Sequence, residues 1–399
     1  MKFLLGFLLL IAIASTAQTK RARDYGIPFD GTPGRYNAIT DVVGVTVGHT
    51  TIKKGNGQLV KGEGPVRTGV TAILPHGKEF IPVYANFYAL NGNGDMTGTH
   101  WIAESGFLET PILITNTGNV GTVRDAAWLW MDEHKYYTPI YKNYWYAYPV
   151  VAETYDGFLN DINGQHVKKA DVYKALDSAK TGTVTEGSVG GGTGMKCYGF
   201  KGGIGTASRV LNKTAGGYTV GVLVQANHGS RSQLTISGVP VGKQLADTLP
   251  VRIEGMTRAA TAAIANTLEK ETGSIIIVLA TDAPLLPGQL KRLAQRIPLG
   301  LTRTGAIGGN GSGDIFIAFS TANKNAFSNT EEEKITTMAN EEMNALFTAT
   351  IQATEEAIIN ALFAGETMEG INGNKVYGLP KERVVQIMKQ YNRLDKVNK

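Results

Sequence analysis

Thr272-Gly273-Ser274-Ile275-Ile276-Ile277-Val278-Leu279-Ala280-Thr281-Asp282-Ala283-Pro284 is the stretch on which the fold turns. The apolar run after Ser274 is short and mostly β-branched, and Thr-Asp-Ala-Pro ends it, which is the pattern of a buried strand. Gly273 gives the backbone before Ser274 access to conformations closed to other residues. On its own a Gly-Ser pair before a strand reads as a turn. If the chain were cut between the two, one residue would carry both a hydroxyl nucleophile and a free amine. The neighbouring sequence has to decide between these readings.

Working outward, Val70–Leu74, Pro111–Thr115, Tyr218–Ala226 and Ile315–Phe319 read as further buried strands. Residues 20–70 alternate short apolar runs with Gly and Pro and read as strands and turns. Helical spacing covers Val120–His134, Lys168–Ala179, Met256–Glu271, Leu285–Ile297 and Met338–Phe363. Strands and helices mix without a strict βαβ rhythm, which predicts one large α+β domain. The aromatic segment Tyr136–Tyr148 reads as a packing or subunit-contact surface.

The chain has 399 residues, 42% hydrophobic and 18% charged, an ordinary globular balance with core enough for stability. Lys2 followed by apolar Phe3–Ala14 and Ser15-Thr16-Ala17 reads as a cleaved export signal over 1–17, too short for an anchor. The mature protein is therefore expected to be periplasmic or extracellular, with no membrane segment. Cys197 is the only cysteine, so no intramolecular disulfide forms and no cysteine zinc site is available. The histidines are scattered and form no paired metal motif, so metal: none. Net charge is a mild +5 and basic residues do not cluster, which argues against nucleic acid.

Gly190-Gly191-Gly192-Thr193-Gly194-Met195-Lys196 lacks phosphate-loop spacing and is expected to wall a cleft. Gly308-Gly309-Asn310-Gly311-Ser312-Gly313-Asp314 places a serine and an acid at the mouth of a buried strand. Ser312 there can serve as nucleophile or proton relay, and Asp314 can orient it. Asn91-Gly92-Asn93-Gly94-Asp95 lacks the downstream glutamate of a calcium loop, so Asn91 and Asn93 are read as a turn or substrate loop. No G-x-S-x-G elbow supports a conventional triad, and His228 reads as structural.

Taken in order, Arg23–Gly34, Gly64–Ala72, Ala89–Gly94, Pro149–Gly157, Gly190–Met195, Gln225–Gly229, Ala280–Leu285 and Asn310–Asp314 resemble the S58 peptidases. These are the DmpA-like L-aminopeptidase/D-amidase-esterases and β-aminopeptidases. The resemblance implies a four-layer αββα sandwich, similar to the N-terminal-nucleophile hydrolases but differently connected. It implies a precursor that cuts itself between Gly273 and Ser274, giving subunits 18–273 and 274–399. Ser274 then acts as nucleophile, with Ser312 and Asp314 as second serine and acid. Tyr155 and Asn227 match the oxyanion donors, and Glu153 matches the acid that receives the substrate ammonium. The expected substrates are short peptides, aminoacyl amides or esters, without any cofactor. The expected assembly is a homotetramer of processed heterodimers. A same-fold acyltransferase, an exported non-catalytic binding protein, and Ser312 as the nucleophile are the alternatives.

Overall fold

The computed structural model describes residues 20–138, 140, 145–246, 251–252, 255–257, 273–328 and 332–395. The expected signal segment and almost all of the expected 256–271 helix lie outside them. In chain order the strands are β1 (Thr46–Lys54), β2 (Val66–Lys78), β3 (Val83–Gly92), β4 (Phe107–Leu108), β5 (Ile112–Asn116), β6 (Val150–Thr154), β7 (Lys196–Cys197), β8 (Phe200–Lys201), β9 (Gly203–Val210), β10 (Thr219–Asn227), β11 (Val251–Arg252), β12 (Ser274–Thr281), β13 (Gly313–Ser320), β14 (Met368–Glu369) and β15 (Lys375–Val376). One sheet runs β1-β2-β5-β6 and a second runs β4-β3-β13-β12-β10-β9. Within the second sheet β12 is antiparallel to β10 and parallel to β13.

The period-two geometry of β12 explains its unbroken apolar run. Ile275, Ile277 and Leu279 pack toward the helices that cover the second sheet, with Val222, Val224 and Phe316. Ile276, Val278 and Ala280 point the other way and meet Ile73, Ile114 and Ala152 of the first sheet. Each of the larger aliphatic side chains contributes roughly 1.5–3 kcal/mol on burial. On the far side of the first sheet, Val70, Leu74 and Val151 pack against Val123, Ala127 and Trp130 of helix Val120–Glu133 and Val172 of helix Lys169–Asp177. Three apolar interfaces thus separate four layers, helix, sheet, sheet and helix, which is the αββα sandwich that the resemblance implied.

Helix Asn344–Ala364 lies across β9 and β10. Its Ala349, Ala353, Ala357 and Ala361 recur every four residues and allow close approach. A Cβ at Gly205 would lie 2.0 Å from the Ala357 carbonyl oxygen. Glu356 of the same helix is fully buried. It accepts from Arg23 (2.7 and 2.8 Å) and Asn37 (2.6 Å) and pairs with Arg209 (2.7 Å), tying the N-terminal segment to the helix.

Three expectations need correction. Residues 22–25 and 39–41 are 3₁₀ turns, and the first strand starts only at Thr46. The Asp41 carboxylate accepts from the Tyr36 and Ala38 amides, offering that backbone a local partner in place of a ladder. The helix expected over 285–297 is two, Pro287–Ala294 and Ile297–Arg303. The 190–194 glycines do not wall a cleft. They are buried, and a Cβ at Gly191, Gly192 or Gly194 would lie 2.2–2.5 Å from Gln225, Ile204 or Arg67 atoms.

Candidate active site

Four strand ends converge at one edge of the second sheet. Asn227 closes β10 and pairs with Ser274, which opens β12. Ile275 pairs with Asp314 at the start of β13, and Gly313 and Asp314 pair with Gly92 and Asn91 at the end of β3. By the strand period Ser274 shares the face of Ile276 and Val278, toward the first sheet. It is buried, and its Oγ accepts the Gly313 backbone N–H at 3.1 Å. Ser312 donates to Asp314 Oδ2 at 2.7 Å, and both side chains are buried. The structure therefore joins Ser274 to the backbone between Ser312 and Asp314, while those two side chains bond to each other.

Asn91 and Asn93 hold this turn in place. Asn91 Nδ2 donates to the Gly309 carbonyl at 2.6 Å and Asn93 Nδ2 to that of Gly311 at 2.8 Å. Gly313 is pressed against the same loop, since a Cβ there would lie 2.4 Å from the Asn93 carbonyl oxygen. One Cβ bond beyond Gly94 the next neighbour is Glu153 Oε1, at 3.3 Å. Gly94 thus lies between Gly313, which bonds Ser274, and the Glu153 carboxylate. Glu153 is buried on β6, where it accepts from the Asp95 amide at 3.1 Å and from the Thr117 hydroxyl. Burial pushes its pKa above the ordinary carboxylate range, and these hydrogen bonds only partly offset it.

Asn227 Oδ1 accepts the Lys196 backbone N–H at 2.8 Å, which fixes the orientation of its amide. Its Nδ2 has no hydrogen-bond partner among the described residues. Tyr155 follows the last residue of β6, is 53% exposed, and likewise leaves its hydroxyl unpartnered among them. Its ring lies over Gly157, where a Cβ would sit 2.3 Å from the hydroxyl oxygen. Thr154, just before it, accepts from Gln225 Nε2 at 2.9 Å, so β6 and β10 end side by side.

Gly273 is required for a different reason than its sequence context indicates. Its φ lies outside the left-handed region. What excludes a side chain is space: a Cβ would lie 2.0 Å from the Asn227 carbonyl oxygen and 2.7 Å from the His228 Cα. His228 is structural, as expected. Its ring is buried edge-on to Tyr198, 5.0 Å between centroids, and burial drives its pKa down to about 3.

Sequence reasoning missed Asn116, Thr117, Asp156 and Asn160. The polar tail Thr115-Asn116-Thr117-Gly118-Asn119 after an apolar strand was the available signal. Its significance depends on the parallel pairing of β5 with β6, which sets Thr115 opposite Glu153 and Asn116 opposite Thr154.

Comparison with known proteins places this geometry in context. Peptidase family S58 matches residues 37–376. Beta-peptidyl aminopeptidase BapA of Sphingosinicella microcystinivorans is 51% identical over 388 residues, covering 97% of this chain and 96% of the relative. The protein of the same name from Sphingosinicella xenopeptidilytica is 47% identical over 392 residues, covering 96% and 94%. Among solved structures, the L-aminopeptidase D-Ala-esterase/amidase of Ochrobactrum anthropi matches with a TM-score of 0.82 and 46% identity, over 94% of this chain and 99% of that one. It is described as a prototype serine aminopeptidase with a variant of the Ntn hydrolase fold. A Burkholderia sp. beta-aminopeptidase matches with a TM-score of 0.80 and 46% identity, over 93% and 99%.

Proposed function

The chain belongs to peptidase family S58, and from that premise we propose that it is a self-processing serine aminopeptidase whose nucleophile is Ser274. One observation carries the assignment of Ser274. Its hydroxyl sits at the head of a core strand, 3.1 Å from a backbone donor, beside an Asn227 amide whose N–H₂ has no partner among the described residues.

In the precursor, Ser274 Oγ attacks the Gly273 carbonyl, the peptide bond to the Ser274 nitrogen breaks, and an ester forms with release of the amine. Water then hydrolyses the ester, leaving a chain that ends at Gly273 and one that begins at Ser274. In the mature enzyme Ser274 attacks the first carbonyl of the substrate and later surrenders the acyl group to water. Among the described residues no side-chain base touches Ser274 Oγ, which favours its own freed amine as proton acceptor. Ser312 and Asp314 then brace the loop that supplies the Gly313 N–H. Asn227 Nδ2 and the Tyr155 hydroxyl receive the developing oxyanion, which is worth far more in a dry site than in water. Glu153, already desolvated, gains a counter-charge when a substrate ammonium arrives, so a blocked amine is disfavoured.

The two BapA relatives are β-peptidyl aminopeptidases, which supports peptides with an N-terminal β-amino acid as the substrate class. The Lys2–Ala17 pattern supports export before maturation. Exposed Tyr146 and Tyr148 support a subunit contact in a homotetramer of processed heterodimers. Intact mass together with a panel of α- and β-aminoacyl p-nitroanilides tests the central reading. Wild type should show two chains that meet at 273/274, and Ser274→Ala a single inactive one. An uncut wild-type chain that still hydrolyses the panel would overturn it.

A further inference from the structure

Glu153 and Tyr155 stand two residues apart at the end of β6, and the next residue, Asp156, is 1% exposed. Asn116 Nδ2 lies 3.1 and 2.9 Å from its two carboxylate oxygens, and Asn160 Nδ2 donates to Oδ1 at 3.0 Å. Asn116 Nδ2 also donates to the Thr68 hydroxyl oxygen at 3.0 Å. The Asn160 amide cannot turn over, because a backbone donor holds its oxygen, and Asn116 is oriented by its carboxylate and amide partners together. Asn116 Oδ1 is occupied by Asn119 Nδ2 at 2.6 Å, and Asn160 Oδ1 by the Arg67 backbone N–H at 2.8 Å. Asn160 Nδ2 is therefore directed at Oδ1, and Asn116 Nδ2 lies against both oxygens, so the side chain at 156 serves as acceptor for both amides. An isosteric asparagine would set an N–H₂ against one of these fixed donors. The main chain is held as well, because the Asp156 carbonyl accepts from the Leu159 and Asn160 amides at 3.0 and 3.1 Å.

The other side of Tyr155 is held by the same short segment, since Thr117, next to Asn116, donates to Glu153. Asn116 and Thr117 thus grip the chain on both sides of a tyrosine whose hydroxyl has no partner of its own among the described residues. Such a side chain takes its position from the backbone that carries it.

We infer that Asp156 is a positioning residue for the reaction: by accepting from the Asn116 and Asn160 amides, it fixes the main chain from which the Tyr155 hydroxyl reaches the oxyanion. The inference rests on the reading of Tyr155 as an oxyanion donor.

A double-mutant cycle of Tyr155→Phe and Asp156→Asn tests both statements separately. It is run on enzyme shown by intact mass to be cut, with kcat and KM measured on a β-aminoacyl p-nitroanilide. Tyr155→Phe should lower kcat about 100-fold. Asp156→Asn should lower kcat about 10- to 100-fold, with KM changed less than about twofold, and by less than about threefold once Tyr155 is Phe. An unchanged kcat in Tyr155→Phe overturns the oxyanion reading itself. A loss in Tyr155→Phe, combined with equal Asp156→Asn factors in both backgrounds or an Asp156→Asn effect on KM alone, overturns only the positioning role. If Asp156→Asn stays uncut or insoluble, the cycle uses Thr68→Val, which removes the hydroxyl that helps hold Asn116 Nδ2 against the carboxylate and leaves the carboxylate itself. The same non-additivity is then expected, and its absence overturns the inference.

Discussion

A single methyl group at position 273 tests how the bond to be cut is seated. In Gly273→Ala the new Cβ would lie 2.0 Å from the Asn227 carbonyl oxygen, 2.9 Å from its carbon and 2.7 Å from the His228 Cα. Relaxed contacts between such atoms lie near 3.5 Å, so relief needs about 1 Å of movement or more. All three atoms are main chain. Asn227 is in the ladder with Ser274, and the His228 ring is packed against Tyr198, so neither retreats easily. The displacement therefore falls on the 273–274 peptide and pulls Ser274 Oγ away from the Gly313 N–H, now 3.1 Å distant. A misplacement of about 1 Å between reacting groups costs on the order of 100-fold in rate. The purified variant precursor should therefore mature about 100-fold more slowly than wild type in an intact-mass time course. Once the chain is cut, residue 273 is a free end able to leave the site, so kcat of the cut fraction should match wild type. Maturation at the wild-type rate would refute the steric argument. So would slow maturation with an equal loss of kcat in cut chains, since the methyl would then be disturbing the whole site.

Glu153→Gln should raise KM for unblocked aminoacyl substrates about tenfold to a hundredfold, the worth of a hydrogen bond to a charged group, and leave N-acetylated analogues unaffected. Because burial raises the Glu153 pKa, the wild-type anchor is neutralised at a pH above the ordinary carboxylate range. KM should accordingly rise on the acid side in wild type, and this limb should be missing from Glu153→Gln profiles. Glu356→Gln leaves the buried Arg209 without its anion and should cost about 3–5 kcal/mol, read as a lower Tm near neutral pH. Burial alone would raise the Glu356 pKa, but the bonds from Arg23 and the charge of Arg209 outweigh it and hold it below the usual range. A depressed carboxyl pKa contributes stability above the unfolded value and loses it as pH falls through the folded one. The gap in Tm between wild type and variant should therefore narrow below about pH 4, and a gap independent of pH would exclude the ion pair as its source.

The parts of the fold that showed in the sequence are those whose environment is uniform along the strand. β12 and β13 are buried on both faces, so their side chains are apolar without interruption. β9 reads Gly-Ile-Gly-Thr-Ala-Ser-Arg-Val and gave no such signal, because helix Asn344–Ala364 approaches its backbone too closely for side chains at Gly205. β3 and β6 were missed for other reasons. β3 is partly exposed and rich in Asn and Tyr, and β6 has only Val150, Val151 and Ala152 as an apolar run before Glu153 and Thr154. The site divides in the same way. Ser274, Ser312 and Asp314 announce themselves through residues adjacent in sequence, whereas Asp156 acquires its partners from Asn116, forty residues away on a neighbouring strand.

Gly273 shows why the distinction matters for mechanism. Read locally, its merit is conformational freedom, and on that account asparagine, which tolerates positive φ, would be an acceptable replacement. In the folded chain the backbone there needs no left-handed conformation, and the exclusion is of any Cβ at all. Asparagine and alanine at 273 must then be equally damaging to maturation. The two accounts differ because one concerns a residue's own torsions and the other concerns which strand end it crosses. The second is set by the Asn227–Ser274 pairing, and that pairing also brings the proposed oxyanion donor to the proposed nucleophile. On the proposed mechanism, one register thus fixes both the bond to be cut and the group that would stabilise its cutting.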